Sequence, residues 1–81
     1  MPDLSPATVI VAEILQRLAG QPFETFVIVL SNGSRHEVPT ADHCTVQRFS
    51  RQINVDHDDG SFVTINALHV AQIELLHKPA A

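Results

Sequence analysis

The stretch from Pro22 to Val38, PFETFVIVLSNGSRHEV, restricts the possible folds more than any other part of the chain. Asn32-Gly33 stands between two runs that favour extended backbone, and Asn-Gly in that setting is the strongest short-range signal for a β-hairpin. Phe23 to Leu30 reads as the first strand. Phe26, Ile28 and Leu30 share one face; Thr25, Val27 and Val29 share the other. A strand that is apolar on both faces is usually buried on both. That predicts a barrel interior on one side and a helix or a neighbouring subunit on the other, so Val27 and Val29 are the candidate interface residues. Two hairpin registers compete. A two-residue turn puts His36 and Val38 with Val27 and Val29; a three-residue loop ending at Gly33 puts them with Phe26 and Ile28. A slip of one residue exchanges the faces, and spacing leaves both registers open.

Ahead of the hairpin, Ser5-Pro6 marks a helix start. Ser5 can cap, and Pro6 at the first helical position gives up an N–H that would have no partner there. Leu4 and Val9 occupy the two positions of a hydrophobic staple. The helix is predicted over Pro6 to about Ala19, with Gly20 as a left-handed stop and Pro22 preventing continuation. Ala7, Ile10, Val11, Ile14, Leu15 and Leu18 fall on one broad arc, extended by Ala12 and Ala19. The arc reads as core rather than as a surface for a partner helix, because a domain this small needs every apolar face it has.

Beyond Val38 the pattern breaks at Pro39 to Asp42. Further strands are predicted at His43 to Phe49, Gln52 to His57, Ser61 to Asn66 and Val70 to Leu76. A short 3₁₀ turn is expected around Asn66 to His69. At Asp58-Asp59-Gly60 the register can be argued: a three-residue loop with Gly60 left-handed sets Val55 opposite Val63 and Ile53 opposite Ile65. In the last strand Ala71, Ile73 and Leu75 share a face. No internal repeat and no linker is evident.

The whole is read as one domain over 1–81, with a helix at about 6–19, a β region at about 23–76 and a tail at 77–81. The expected fold is mainly β (α+β): an N-terminal helix, then a five- to six-stranded, bent antiparallel sheet or small barrel. Two resemblances follow from these residues. Pro22-Phe23-x-x-Phe26-x-Ile28-x-Leu30-x-x-Gly33, then Val38, with Ile65-x-x-Leu68-x-Val70-x-x-Ile73-Glu74, resembles a family of small uncharacterised bacterial proteins, which implies no activity. A helix followed by five bent strands is similar in order to Sm-like and SH3-like small barrels, and the alternation before Asn32-Gly33 is similar to the first Sm motif. The second Sm motif, with its RNA-contacting residues, has no counterpart, and architecture alone does not imply function.

Composition narrows the functions. Nine acidic and five basic residues give a net charge of −4, which opposes non-specific nucleic-acid binding. The only lysine is Lys78, and there is no Trp or Tyr. All four Phe sit in apolar sequence settings, so no stacking platform for bases is expected. Arg35, Arg48 and Arg51 are the candidate nucleic-acid contacts of an Sm-like reading. Cys44 is the single cysteine, which excludes an internal disulfide and fits a reducing compartment. The first twenty residues lack a basic start and carry Glu13 and Arg17, so no signal peptide is expected. No run is long enough to span a membrane, and a cytoplasmic location is the reading.

Five histidines, His36, His43, His57, His69 and His77, form with Asp42 and Cys44 the only potential metal set. Neighbouring His43 and Cys44 point to opposite faces of a strand, and no H-x-x-x-H or C-x-x-C spacing occurs. Asp56 to Gly60 resembles the start of a calcium loop, but Ala67 stands where the bidentate Glu is required. Thiol catalysis would need Cys44 exposed and beside a base such as His36. The expectation is therefore a non-enzymatic assembly or adaptor module, without cofactor or metal, acting through protein–protein contact as a homo-oligomer or with a protein partner. The alternatives are an Sm-like nucleic-acid binder and a histidine-based metal module.

Overall fold

A three-residue loop sets the register of the first hairpin. In the computed structural model, which describes residues 5–76, β1 (Phe26–Leu30) pairs antiparallel with β2 (Arg35–Val38), Phe26 opposite Val38 and Ile28 opposite His36. Gly33 closes the loop at φ 90°, a conformation that costs Gly nothing and a side-chain-bearing residue much more. His36 and Val38 thus join Phe26 and Ile28, which resolves the choice the spacing had left open. β1 starts three residues later than predicted. Continuing the register would set Thr25 opposite Pro39, which has no N–H to give; the Thr25 hydroxyl donates to the Pro39 carbonyl instead, at 3.3 Å.

The helix α1 (Pro6–Leu18) begins at Ser5, whose hydroxyl accepts the Thr8 N–H at 3.3 Å. Its end differs from the prediction. Gly20 is not left-handed; Ala19 keeps right-handed angles, and the Gly20 N–H reaches back three residues to the Arg17 carbonyl at 3.3 Å. A tightened last turn does the work expected of a glycine cap. Leu4, one half of the predicted staple, lies outside the described residues, as does the tail from His77; Val9 itself is exposed.

Two three-stranded antiparallel sheets follow, in the orders β2-β1-β6 and β3-β4-β5, with β3 at Cys44–Gln47, β4 at Gln52–Asp56, β5 at Phe62–Asn66 and β6 at Val70–Leu75. The fold is mainly β with one helix, as the pattern predicts, and the six strands do not close into a barrel. Val55 opposes Val63 and Ile53 opposes Ile65, as the Asp58-Asp59-Gly60 loop requires. The face of the last strand differs from the alternation expected for Ala71, Ile73 and Leu75: a bulge opposite Val29/Leu30 brings Val70, rather than Ala71, against Leu30, and Ala71 is exposed. The inner faces of both sheets and the helix share one core, in which Phe26, Ile28, Val38, Ile53, Val55 and Ile14 are wholly buried. The helix therefore covers the core between the sheets, packing on β3 and on the 3₁₀ turn Ala67–His69, and does not cover the outer face of β1.

The topology repeats although the sequence does not. The segments β1–β2–3₁₀–β3 and β4–β5–3₁₀–β6 are two copies of one unit. Residue n of the first hairpin corresponds to residue n + 27 of the second: Phe26–Val38 becomes Ile53–Ile65, and Ile28–His36 becomes Val55–Val63. Both loops have Gly at φ 90°. In both, a side-chain oxygen two residues back, from Asn32 or Asp59, accepts a serine N–H at 2.9 Å. The two 3₁₀ turns, Ala41–His43 and Ala67–His69, each begin with Ala and end with His. The third strand of each unit pairs with the first strand of the other, β3 with β4 and β6 with β1, so the halves are interlocked.

Candidate functional site

The loop between β3 and β4 is where the chain departs most from its predicted layout. Gln47 opposes Gln52, which leaves Arg48, Phe49, Ser50 and Arg51 as the connection. Arg51 turns the chain back with φ 56°, the one non-glycine residue with positive φ among those described. The sequence pattern puts Phe49 at the end of a strand in an apolar setting; in the structure it is fully exposed in the loop, between Arg48 and Arg51. The expectation of no exposed aromatic is corrected accordingly. Alternation of side chains along the predicted strand concealed this, because only the register with β4 shows that Phe49 has no strand position.

Beside the loop, α1 turns one flank away from the core. Ala7, Val11 and Ile14 are buried in the core, while Ala12 and Ala19, predicted to extend the apolar arc inward, are exposed and Leu15 is half-buried. Val11, Ala12, Leu15 and Ala19 form the apolar wall of a groove of about 610 Å³, and Arg48, Phe49 and Arg51 form the opposite wall. Among the described residues no acidic side chain lines it. Positive charge and apolar surface are thus gathered in one place on a net-negative molecule.

The other candidate residues are distributed differently. Val27 and Val29 lie on the outer face of the sheet β2-β1-β6. Val27 is only 4% exposed, and Val29 is half-buried. Their cover is not the helix. Arg35, opposite Val29, and Glu74, opposite Val27, meet across β1 at 2.6 Å, and Gln72 donates to the same carboxylate at 2.6 Å. Two strand spacings, about 10 Å, separate the backbones that carry this pair, so the two side chains roof the valines with their aliphatic stems. The bond from Arg35 holds the Glu74 carboxyl below the usual range. Arg35 therefore stands on the sheet face, while Arg48 and Arg51 stand at the groove; the three are not grouped.

The potential metal set is dispersed as well. The His43 ring is held between Thr40 Oγ1 at 2.7 Å and Asp58 Oδ1 at 2.8 Å. His36 and His57 face each other with ring centroids 6.1 Å apart. Burial, and secondarily the proximity of His57, pushes the His36 pKa down. His69 is exposed, and its carbonyl accepts the Ser31 N–H at 2.8 Å; His77 lies outside the described residues. Among the described residues no three His, Cys, Asp or Glu side chains converge as metal ligands. Cys44 is buried, and burial, with a smaller contribution from Asp56, pushes its thiol up to about 11. A thiol so placed is protonated near neutral pH and is a poor nucleophile.

No family model, curated protein or solved structure matches the chain. The site has to be read from its own chemistry. Among the described residues no helix is long and apolar enough to cross a membrane.

Proposed function

We propose that the protein is a non-enzymatic adaptor module of the cytoplasm that works through protein–protein contact, with the groove between α1 and the β3–β4 loop as its contact surface. The observation that carries this reading is Phe49: a fully exposed aromatic side chain beside an apolar groove. Phe and Arg are among the residues enriched in protein interfaces relative to the rest of the surface. Arg51 adds support, because a non-glycine residue held at positive φ costs backbone energy and such positions cluster at functional sites. A protonated, buried Cys44 fits both a reducing compartment and the absence of thiol chemistry. The roof over Val27 and Val29 moves the proposed contact from that sheet face to the helix flank.

The Sm-like reading retains one favourable observation, since Phe49 between Arg48 and Arg51 has the elements of a base-stacking platform. Net charge opposes it, and two arginines supply little phosphate affinity. Native mass spectrometry of the untagged protein isolated from its own cells tests the main reading. The expected result is an assembly above the monomer mass, with the chain itself or with another protein, which Phe49→Ser dissociates without lowering the thermal midpoint. A wild-type protein that is monomeric throughout would overturn it.

A further inference from the structure

The connection between the two halves is a hairpin loop built without glycine at its left-handed position. Within each half the hairpin turns on a glycine at φ 90°, Gly33 in the first and Gly60 in the second. Between the halves, β3 is joined to β4 by the loop 48–51, and the residue that takes the left-handed angle there is Arg51, at φ 56°. That region is costly for a residue with a side chain and open to glycine. Backbone strain is therefore concentrated at the one covalent link from half to half. Arg48, Phe49 and Ser50 are exposed, so the loop can straighten without uncovering core.

The contacts across this link are ones that a second copy reproduces in full. In each sheet two strands come from one half and the third from the other. The helix α1, in the first half, packs on the 3₁₀ turn Ala67–His69 of the second. Once the loop straightens, Arg51 returns to extended backbone, β3 runs on without reversing, and the second half leaves its own first half. The vacated surfaces fit the second half of another chain in the same registers, with Thr45 opposite Asn54 and Val27 opposite Glu74. Every strand pair of two monomers is recovered, and two strained residues are released.

We infer that two copies of the chain exchange their second halves, residues 52–76, through the loop 48–51 to form a reciprocal dimer. The exchange goes beyond the groove contact and does not use the side chain of Phe49. It dismantles one wall of the groove, because Arg48, Phe49 and Arg51 no longer fold back beside α1. Dimers form where chains refold at high concentration and separate slowly, since whole strand pairs must first open.

The test is refolding of the full chain at millimolar concentration, with size-exclusion chromatography and circular dichroism of each fraction. Wild type should give a monomer and a dimer that interconvert slowly. Arg51→Gly relieves the monomer and should lower the dimerisation constant by about tenfold or more, because each dimer contains two hinges. Arg51→Val, whose branched side chain favours extended backbone, should raise it. Exchange is separated from side-by-side contact by Thr45→Cys/Asn54→Cys in a Cys44→Ala background. These positions face each other across the halves, and directly opposed residues on antiparallel strands are close enough for a disulfide. Oxidised monomer should keep monomer mass in denaturant, and oxidised dimer should stay covalently dimeric. Gln47→Cys/Gln52→Cys, at two exposed positions, makes the same distinction where the first pair disturbs folding. An oxidised dimer that falls to monomers in denaturant would overturn the inference. So would equal dimerisation constants for Arg51→Gly and Arg51→Val, or no dimer from any of the three chains. A dimer abolished by Phe49→Ser would overturn it as well and would place the second copy at the groove.

Discussion

Individual side chains carry the clearest consequences of burial. His36 sits on the inner face of β2, half-buried, with His57 nearby, and its pKa is lowered from 6.5. A base whose folded pKa is depressed binds protons more weakly than in the unfolded chain. Its contribution to stability is therefore complete above about pH 6.5 and declines as pH falls below it. The midpoint of its NMR titration should lie below 6.5. In His57→Gln the midpoint should rise part of the way back, because burial, the larger cause, remains; an unchanged midpoint would show that His57 is not felt. Cys44 acts at the other end of the scale. Its thiol is raised from 9.0 to about 11, so the folded state holds the proton more tightly. Stability should fall as pH climbs through that window, and Cys44→Ala should flatten the decline. At pH 8 the native thiol should resist alkylation, while denatured protein reacts fully. Rapid labelling of the native chain would contradict the burial.

At the level of elements, the two hairpins make a paired prediction. Gly33 and Gly60 hold the same φ of 90° in loops of the same length with the same side-chain-to-backbone bond. A Cβ at either position meets open space, so the penalty of substitution is conformational alone. Gly33→Ala and Gly60→Ala should each cost about 1–2 kcal/mol, with nearly equal urea midpoints, and Asn at either place should cost less. Widely different penalties would break the correspondence between the halves. The Asp58-Asp59-Gly60 register was legible because only one loop length aligned four apolar residues. The Asn32-Gly33 register was not, because β1 is apolar on both faces and gives no signal when it slips. The roof over Val27 was equally hidden: Arg35 and Glu74 are thirty-nine residues apart in sequence, and only the β1–β6 pairing brings them together. Val27→Thr should place a hydroxyl in a nearly closed apolar site, costing about 1–2 kcal/mol. Its signature is a lowered melting temperature with unchanged association, whereas Phe49→Ser should show the converse. Loss of association in Val27→Thr would return the sheet face to candidacy.

For the molecule as a whole, the helix, the strand count and most of the core could be read from apolar periodicity, since those depend on local pattern and on the need to bury it. The arrangement into two interlocked halves could not, because the hairpins share little sequence beyond Gly-Ser and correspond only in register. The groove was missed for the related reason that it lies between elements distant in the chain. Ala12, Leu15 and Ala19 look like core on a helical wheel, and Phe49 looks like strand, until the β3–β4 loop is set against α1. The central claim is that this loop and helix flank form a protein contact. A photo-cross-linking amino acid, p-benzoylphenylalanine, introduced at Phe49 and separately at Asp59 on the opposite exposed hairpin loop, tests it in living cells. The account predicts a discrete protein adduct from position 49 and none from position 59. No adduct from position 49, or equal adducts from both, would contradict it.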